Sequence, residues 1–214
     1  MAHRYAQIVF TEQVRRLQEE KGSRESYARL DAIENSNHML SERESTFIAQ
    51  RDSVYMASVG ETGWPYLQHR GGPMGFMRVL APNVLGYSDF VGNRQYVSAG
   101  NFMTNNRVAL FFMDYLNRRR LKVMGRIQQV PEDDWETLAK LEIQDYKAES
   151  ERGYLIKIEG FDWNCPRHIS PRFSKAEVQQ LFGPVMEENE NLKEQLAKLQ
   201  AQVSSKVLDQ DKLK

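Results

Sequence analysis

Apolar residues recur at two different spacings along this chain, and the change from one to the other divides it. In TEQVRRLQEEK (11–21), Val14 and Leu17 stand one helical turn apart between a capping Thr11 and Gly22, a pattern that predicts a short amphipathic helix. Tyr27, Leu30 and Ile33 recur at threes and predict a second. Ser41 and Glu44, in capping-box spacing, open a third that runs to Arg51. From Ser53 the runs shorten. VYMASV, WPYLQHR, GFMRVL and VLGYSDF are separated by Gly-Glu-Thr-Gly and by Ala81-Pro82-Asn83, so they read as four strands. After a helix-compatible stretch (94–106), VALFFMD and RRLKVMGRIQQV flank Tyr115-Leu116-Asn117. A helix starting at Pro131 then leads to YLIKIEGFDW, a seventh strand. Seven short strands with few crossovers predict a mainly β protein, a small antiparallel barrel with peripheral helices.

Ser174 and Glu177 cap one more helix, which Gly183-Pro184 is expected to stop. Beyond it Val185, Asn189, Leu192, Leu196, Leu199 and Val203 follow the alternating 4, 3 spacing of a coiled-coil seam with Asn189 at an a position. A single helix lying on the barrel is the other outcome of the same pattern. The chain therefore divides into an N-terminal helical segment (1–44), a barrel domain (45–183) and a C-terminal helix (184–214).

Charge narrows the function classes. Lys plus Arg and Asp plus Glu number 29 each in 214 residues, so the basic excess of a general nucleic-acid binder is missing and any basic site is local. No apolar run reaches the ~20 residues needed to cross a bilayer, and MAHRYAQIVF is too short and polar for a secretory signal, which sets a cytoplasmic expectation. A single cysteine, Cys165, excludes an intramolecular disulfide.

Four polar clusters can carry chemistry. Asn93-Arg94-Gln95, where a strand gives way to a helix, combines an amide, a guanidinium fork and free helix N–H groups, the donors an anion such as phosphate requires; a simple N-cap by Asn93 uses the same residues. Gln68-His69-Arg70-Gly71-Gly72 ends the second strand with donors and two small residues, and a glycine-rich hairpin explains the glycines equally well. In Arg118-Arg119-Arg120, alternation sends Arg118 and Arg120 to one face and Arg119 to the other, toward a ligand or toward a solvated edge. Trp163 to His168 places an aromatic, Cys165, Pro166 and an imidazole together, without an acidic group to orient a nucleophilic pair. One cysteine and four scattered histidines lack metal-ligand spacing, and GxGxxG, P-loop and GxSxG motifs are missing.

Residues 45–173 resemble the pyridoxamine 5'-phosphate oxidase-like, FMN-binding split-barrel family. RDSVYMASVGETGWPYLQHRGGP, LGYSDFVGNRQY, NNRVALFFMDY and FDWNCPRHISPRF carry the likeness, to an uncharacterised flavoprotein branch and not to the oxidase itself. The resemblance implies bound FMN and an oxidoreductase passing electrons between NAD(P)H or a small organic substrate and an acceptor. It implies a homodimer that shares each flavin. By the same resemblance Tyr87, Ser88 and Asp89 correspond to the strand end that meets flavin, Asn93 and Arg94 to the phosphate-binding pair with Gln95 beside them, and Gln68, His69 and Arg70 to the first basic strand. Arg120 falls where the family has a flavin-facing glutamine, and its charge favours a reduced, anionic flavin. Trp163, Cys165, Pro166 and His168 are expected over the substrate pocket, in place of the ending with which the oxidase grips pyridoxal phosphate. The fold also hosts non-catalytic flavin and haem binders, for which His69 and His168 are the candidate iron ligands.

Overall fold

The alternating runs after Ser53 become strands: β1 (Ser53–Val59), β2 (Pro65–Gly71), β3 (Arg78–Ala81), β4 (Val84–Phe90), β5 (Arg107–Asp114), β6 (Arg119–Gln129) and β7 (Ser150–Trp163). The structure, a computed structural model, describes residues 3–32, 37–163 and 165–211. All the strand pairings are antiparallel, in one sheet ordered β2-β1-β5-β6-β7-β4-β3. Cross-strand partners share a face of the sheet. Val54 and Met56 of β1, Leu110 and Phe112 of β5, Leu121 and Val123 of β6, Ile156 of β7 and Leu85 of β4 turn inward to one buried core. Four strands separate β2 from β4 in that order, yet Arg70 of β2 ion-pairs with Asp89 of β4 at 2.5 Å. The sheet therefore curls until its two sides meet through side chains instead of a ladder, the architecture of a split barrel. The compact unit formed by residues 1–169 contains all of it.

The helices of this unit follow their capping signals. α1 (Arg4–Val9), which the sequence pattern did not predict, is capped by His3 Nδ1, which accepts from Ala6 N at 3.3 Å. It crosses β7 at Gly160, where a Cβ would stand 2.7 Å from Tyr5 N. α2 (Glu12–Glu20) starts at Thr11 as expected, and α3 (Arg24–Ala32) follows; the predicted apolar position Ile33 lies outside the described residues. α4 (Glu42–Ala49) has its capping box and buries Phe47 and Ile48 in the core. α5 (Val97–Thr104) is shorter than the predicted 94–106 segment, because Arg94 and Tyr96 adopt left-handed backbone (φ 57° and 55°) that a helix cannot contain. α6 (Trp135–Leu141) begins after Asp134, whose carboxylate accepts from Thr137 N, and not at Pro131.

The second compact unit, residues 170–214, is built on α7 (Lys175–Asp211), capped by reciprocal bonds between Ser174 and Glu177. Gly183-Pro184 does not stop it: Pro184 lies inside one continuous helix. Pro184 lacks the N–H that would reach the Gln180 carbonyl and its ring crowds that carbonyl, while Gly183 before it has no Cβ to add a second clash.

Candidate functional site

Strand alternation decides which predicted residues can meet. On β2 Tyr66, Gln68 and Arg70 turn to the barrel interior, with Ser58, Met56 and Val54 as partners, and His69 turns outward beside Tyr55. On β4 Tyr87 and Asp89 turn inward opposite Tyr154 and Arg152, and Ser88 turns outward. A run of three neighbouring strand residues cannot serve one cavity.

The inward residues and the loop after β4 enclose a cavity of about 270 Å³. Gln68, Arg70, Asp89, Asn93, Arg94 and Gln95, all expected from the sequence, line it together. Tyr66, Tyr96, Ser98 and Glu151 line it too, and sequence reasoning did not single them out. Tyr66 could have been found by alternation from Gln68 and Arg70. Glu151 and the neighbouring Arg152 lie before the run that read as the last strand, since β7 starts at Ser150 and not at Tyr154.

Charge is arranged in two linked pairs. Arg70 is held by Asp89 at 2.5 Å, and Arg152 by Glu151 at 2.7 Å with Asp89 at 3.9 Å. The Tyr96 hydroxyl donates to Glu151 at 2.7 Å, and the Arg152 guanidinium lies 5.0 Å from the Tyr96 ring. That hydrogen bond holds the Glu151 carboxyl below its ordinary range and raises the Tyr96 phenol above its own. Arg94 is exposed and makes no ion pair among the described residues; within the lining Arg70 and Arg94 balance Asp89 and Glu151, and Arg152, paired with both acids from outside it, adds one further positive charge. The buried Nε groups of Arg70 and Arg152 have no hydrogen-bond partner. Buried donors left without acceptors are costly. The exposed Arg94 guanidinium is the group of the lining left to meet an anion.

The loop itself is held in an uncommon shape. Left-handed Arg94 and Tyr96, each costing on the order of 1–3 kcal/mol, flank Gln95, whose N–H donates to Asn93 Oδ1 at 3.2 Å. Asn93 thus closes a turn and does not cap α5, which begins four residues later at Val97. Ser98 Oγ donates to Gln68 Oε1 at 2.6 Å and ties the first turn of α5 to β2. Below this floor Tyr87 is fully buried, stacked on Tyr154 at 5.5 Å with the Arg70 guanidinium 5.1 Å from its ring, and burial raises its phenol well above the ordinary value.

The remaining predicted residues stand apart. Ser88 donates to the Leu141 carbonyl at 3.1 Å and lines a separate 530 Å³ cavity under α6. His69 meets Tyr55 edge-on at 5.6 Å on the outer face. Arg120 is opposite Met113 on that same face. Trp163 donates to Glu44 Oε1 at 2.6 Å and sits between the Arg43 and Arg119 guanidinium groups, while Cys165, Pro166 and His168 are exposed beyond it. Trp163 ends β7 and the other three follow it, on the order of 30 Å along the strand from Arg152 at ~3.3 Å per residue. Within one chain they do not close the 270 Å³ cavity. Among the described residues no cluster of three His, Cys, Asp or Glu could hold a metal, and no helix is long and apolar enough to cross a membrane.

A family model described as pyridoxamine 5'-phosphate oxidase matches residues 40–159. No curated protein matches the chain. Similar solved structures include a protein provisionally named pyridoxamine 5'-phosphate oxidase from Lactobacillus delbrueckii (21% identity, covering 59% of this chain and 96% of that chain, TM-score 0.46). Another is an FMN-binding protein from Syntrophomonas wolfei (13% identity, 69% and 97%, TM-score 0.44). A third is the haem storage protein HutZ from Vibrio cholerae (16% identity, 58% and 94%, TM-score 0.39).

Proposed function

The chain belongs to the pyridoxamine 5'-phosphate oxidase-like family, and from that premise we propose that it is an FMN-dependent oxidoreductase working as a homodimer. The observation that carries this reading is the meeting of Gln68, Arg70, Asn93, Arg94 and Gln95 around one cavity. A phosphate dianion matches that donor set: Arg94 brings an unpaired guanidinium, Arg70 a fork already fixed by Asp89, and Gln68 and Gln95 neutral amides. At 270 Å³ the cavity is smaller than the ~300–1,000 Å³ of sites that enclose a whole ligand. It suits the phosphate end of FMN and leaves the ring to another surface, in keeping with a site that a second copy completes.

Bound FMN would supply the electron transfer, between NAD(P)H or a small organic substrate and an acceptor. The protein's part is to neutralise the phosphate, fix its direction through the 93–96 turn, and keep Asp89 and Glu151 paired with Arg70 and Arg152, which offsets part of their repulsion of the phosphate. The test is an FMN titration followed by flavin fluorescence, then anaerobic addition of NADH or NADPH. Saturable binding that Arg94→Glu weakens at least tenfold, with bleaching of the bound flavin by one donor, is the expected result. Wild-type protein that leaves FMN free in solution overturns the proposal.

A further inference from the structure

Because α7 continues through Gly183-Pro184, its apolar seam is longer than the sequence suggested. Taking Asn189 as a, the a and d positions run Val178, Phe182, Val185, Asn189, Leu192, Leu196 and Leu199, more than three full heptads. Gly183 and Pro184 then fall at b and c, on the side away from the seam. The apolar seam residues are exposed, from 41% at Val178 to 60% at Val185. A stripe this regular, left in water, needs an occupant.

We infer that α7 pairs with α7 of a second copy as a parallel, in-register, two-stranded coiled coil. The flanking positions select this occupant and this direction. In a parallel pair each g residue faces the e residue of the next heptad across the seam. That sets Glu188 against Lys193 of the partner subunit, acid on base, and Leu181 against Met186 of the partner subunit, apolar on apolar. An antiparallel pair sets g against g and e against e, so both matches are lost. Asn189 at a meets its own copy only when the helices are parallel and in register, which is the arrangement a single buried asparagine specifies. The inference stands apart from the flavin reading, since no residue of the cavity takes part.

The experiment uses the full-length chain with Cys165→Ser, so that each new thiol is the only one. Leu192→Cys places a thiol at d, where facing Cα atoms satisfy the ~4.4–6.8 Å a disulfide requires; Glu194→Cys places one at f, facing outward. Under mild oxidation and non-reducing electrophoresis, Leu192→Cys should form a covalent dimer at least tenfold faster than Glu194→Cys. Leu199→Cys, a second d position, guards against a local fault at 192. Equal rates at 192 and 194, or dimers only when Leu192→Cys and Leu199→Cys proteins are mixed, overturn the parallel register. No covalent dimer from either d position overturns the pairing itself. FMN titration of the same proteins keeps a failed coil distinct from a failed flavin site.

Discussion

Asp89 lines the cavity as an acid paired to two arginines. Its carboxylate, with Glu151 one of two acids in the lining, lies 2.5 Å from Arg70 and 3.9 Å from Arg152. A dianion beside it would be repelled, so its contribution is to aim the two guanidinium groups. Asp89→Asn keeps an acceptor and removes the charge. Relief of a like charge near a surface site is worth on the order of 1 kcal/mol, about fivefold in affinity. The variant is expected to bind FMN or inorganic phosphate about that much more tightly by calorimetry. It should also lose roughly 1–3 kcal/mol of stability in urea, because Arg70 is left with a weaker partner in a nearly buried place. The sequence already contained Asp89, Arg70 and Arg94, but not this division of labour. Which residues of Gln68-His69-Arg70 and Tyr87-Ser88-Asp89 faced inward depended on the barrel's two sides meeting, and that contact joins residues nineteen apart across four intervening strands.

Glu44 plays the corresponding part for an element. Its spacing from Ser41 announced the start of α4 in the sequence, and both bonds of the capping box are present. The third bond, from Trp163 Nε1 at 2.6 Å, comes from the end of β7 and has no local signal at all. Burial pushes the Glu44 carboxyl upward, and the bonds from Ser41 and Trp163 outweigh it, so its pKa lies below the ordinary 4.5. The stabilisation is therefore present above the unfolded value and is lost as pH falls through the folded one. Glu44→Gln should lower stability at pH 7 by about 1–2 kcal/mol. Chemical denaturation from pH 7 down to pH 3 should show the two curves converging in acid, and a difference that stayed constant would show that the carboxylate charge contributes nothing. Elements capped by Thr11 or by a Ser-x-x-Glu pair were legible: α2, α4 and the start of α7. Those that ended through tertiary geometry were not. α5 begins late because Arg94 and Tyr96 take left-handed backbone, and α7 runs on through Pro184, preceded by a glycine with no Cβ.

At the scale of the whole molecule the outer face of the sheet departs from the polar surface that a solvated antiparallel sheet presents. Tyr55, Ala57, Leu67, Ala109, Phe111, Met113 and Met124 line a shallow cavity of about 540 Å³ there, with Lys122 as its one charged member. His69 and Arg120, both expected near flavin and both turned outward, lie on this same face. If a second barrel completes the cavity, this apolar face, which carries the predicted residues turned away from it, is a surface for it to use. Phe111→Glu puts a charge in the middle of it, opposite Tyr55 and Lys122, without disturbing the core. If two barrels share each flavin, this variant should bind FMN at least tenfold more weakly while remaining dimeric by sedimentation, because α7 still joins the chains. Adding Leu192→Glu and Leu196→Glu should then yield monomer. Undiminished FMN binding by Phe111→Glu would mean that one barrel holds the cofactor alone, and a monomer from Phe111→Glu by itself would mean that the sheet face, and not α7, brings the copies together.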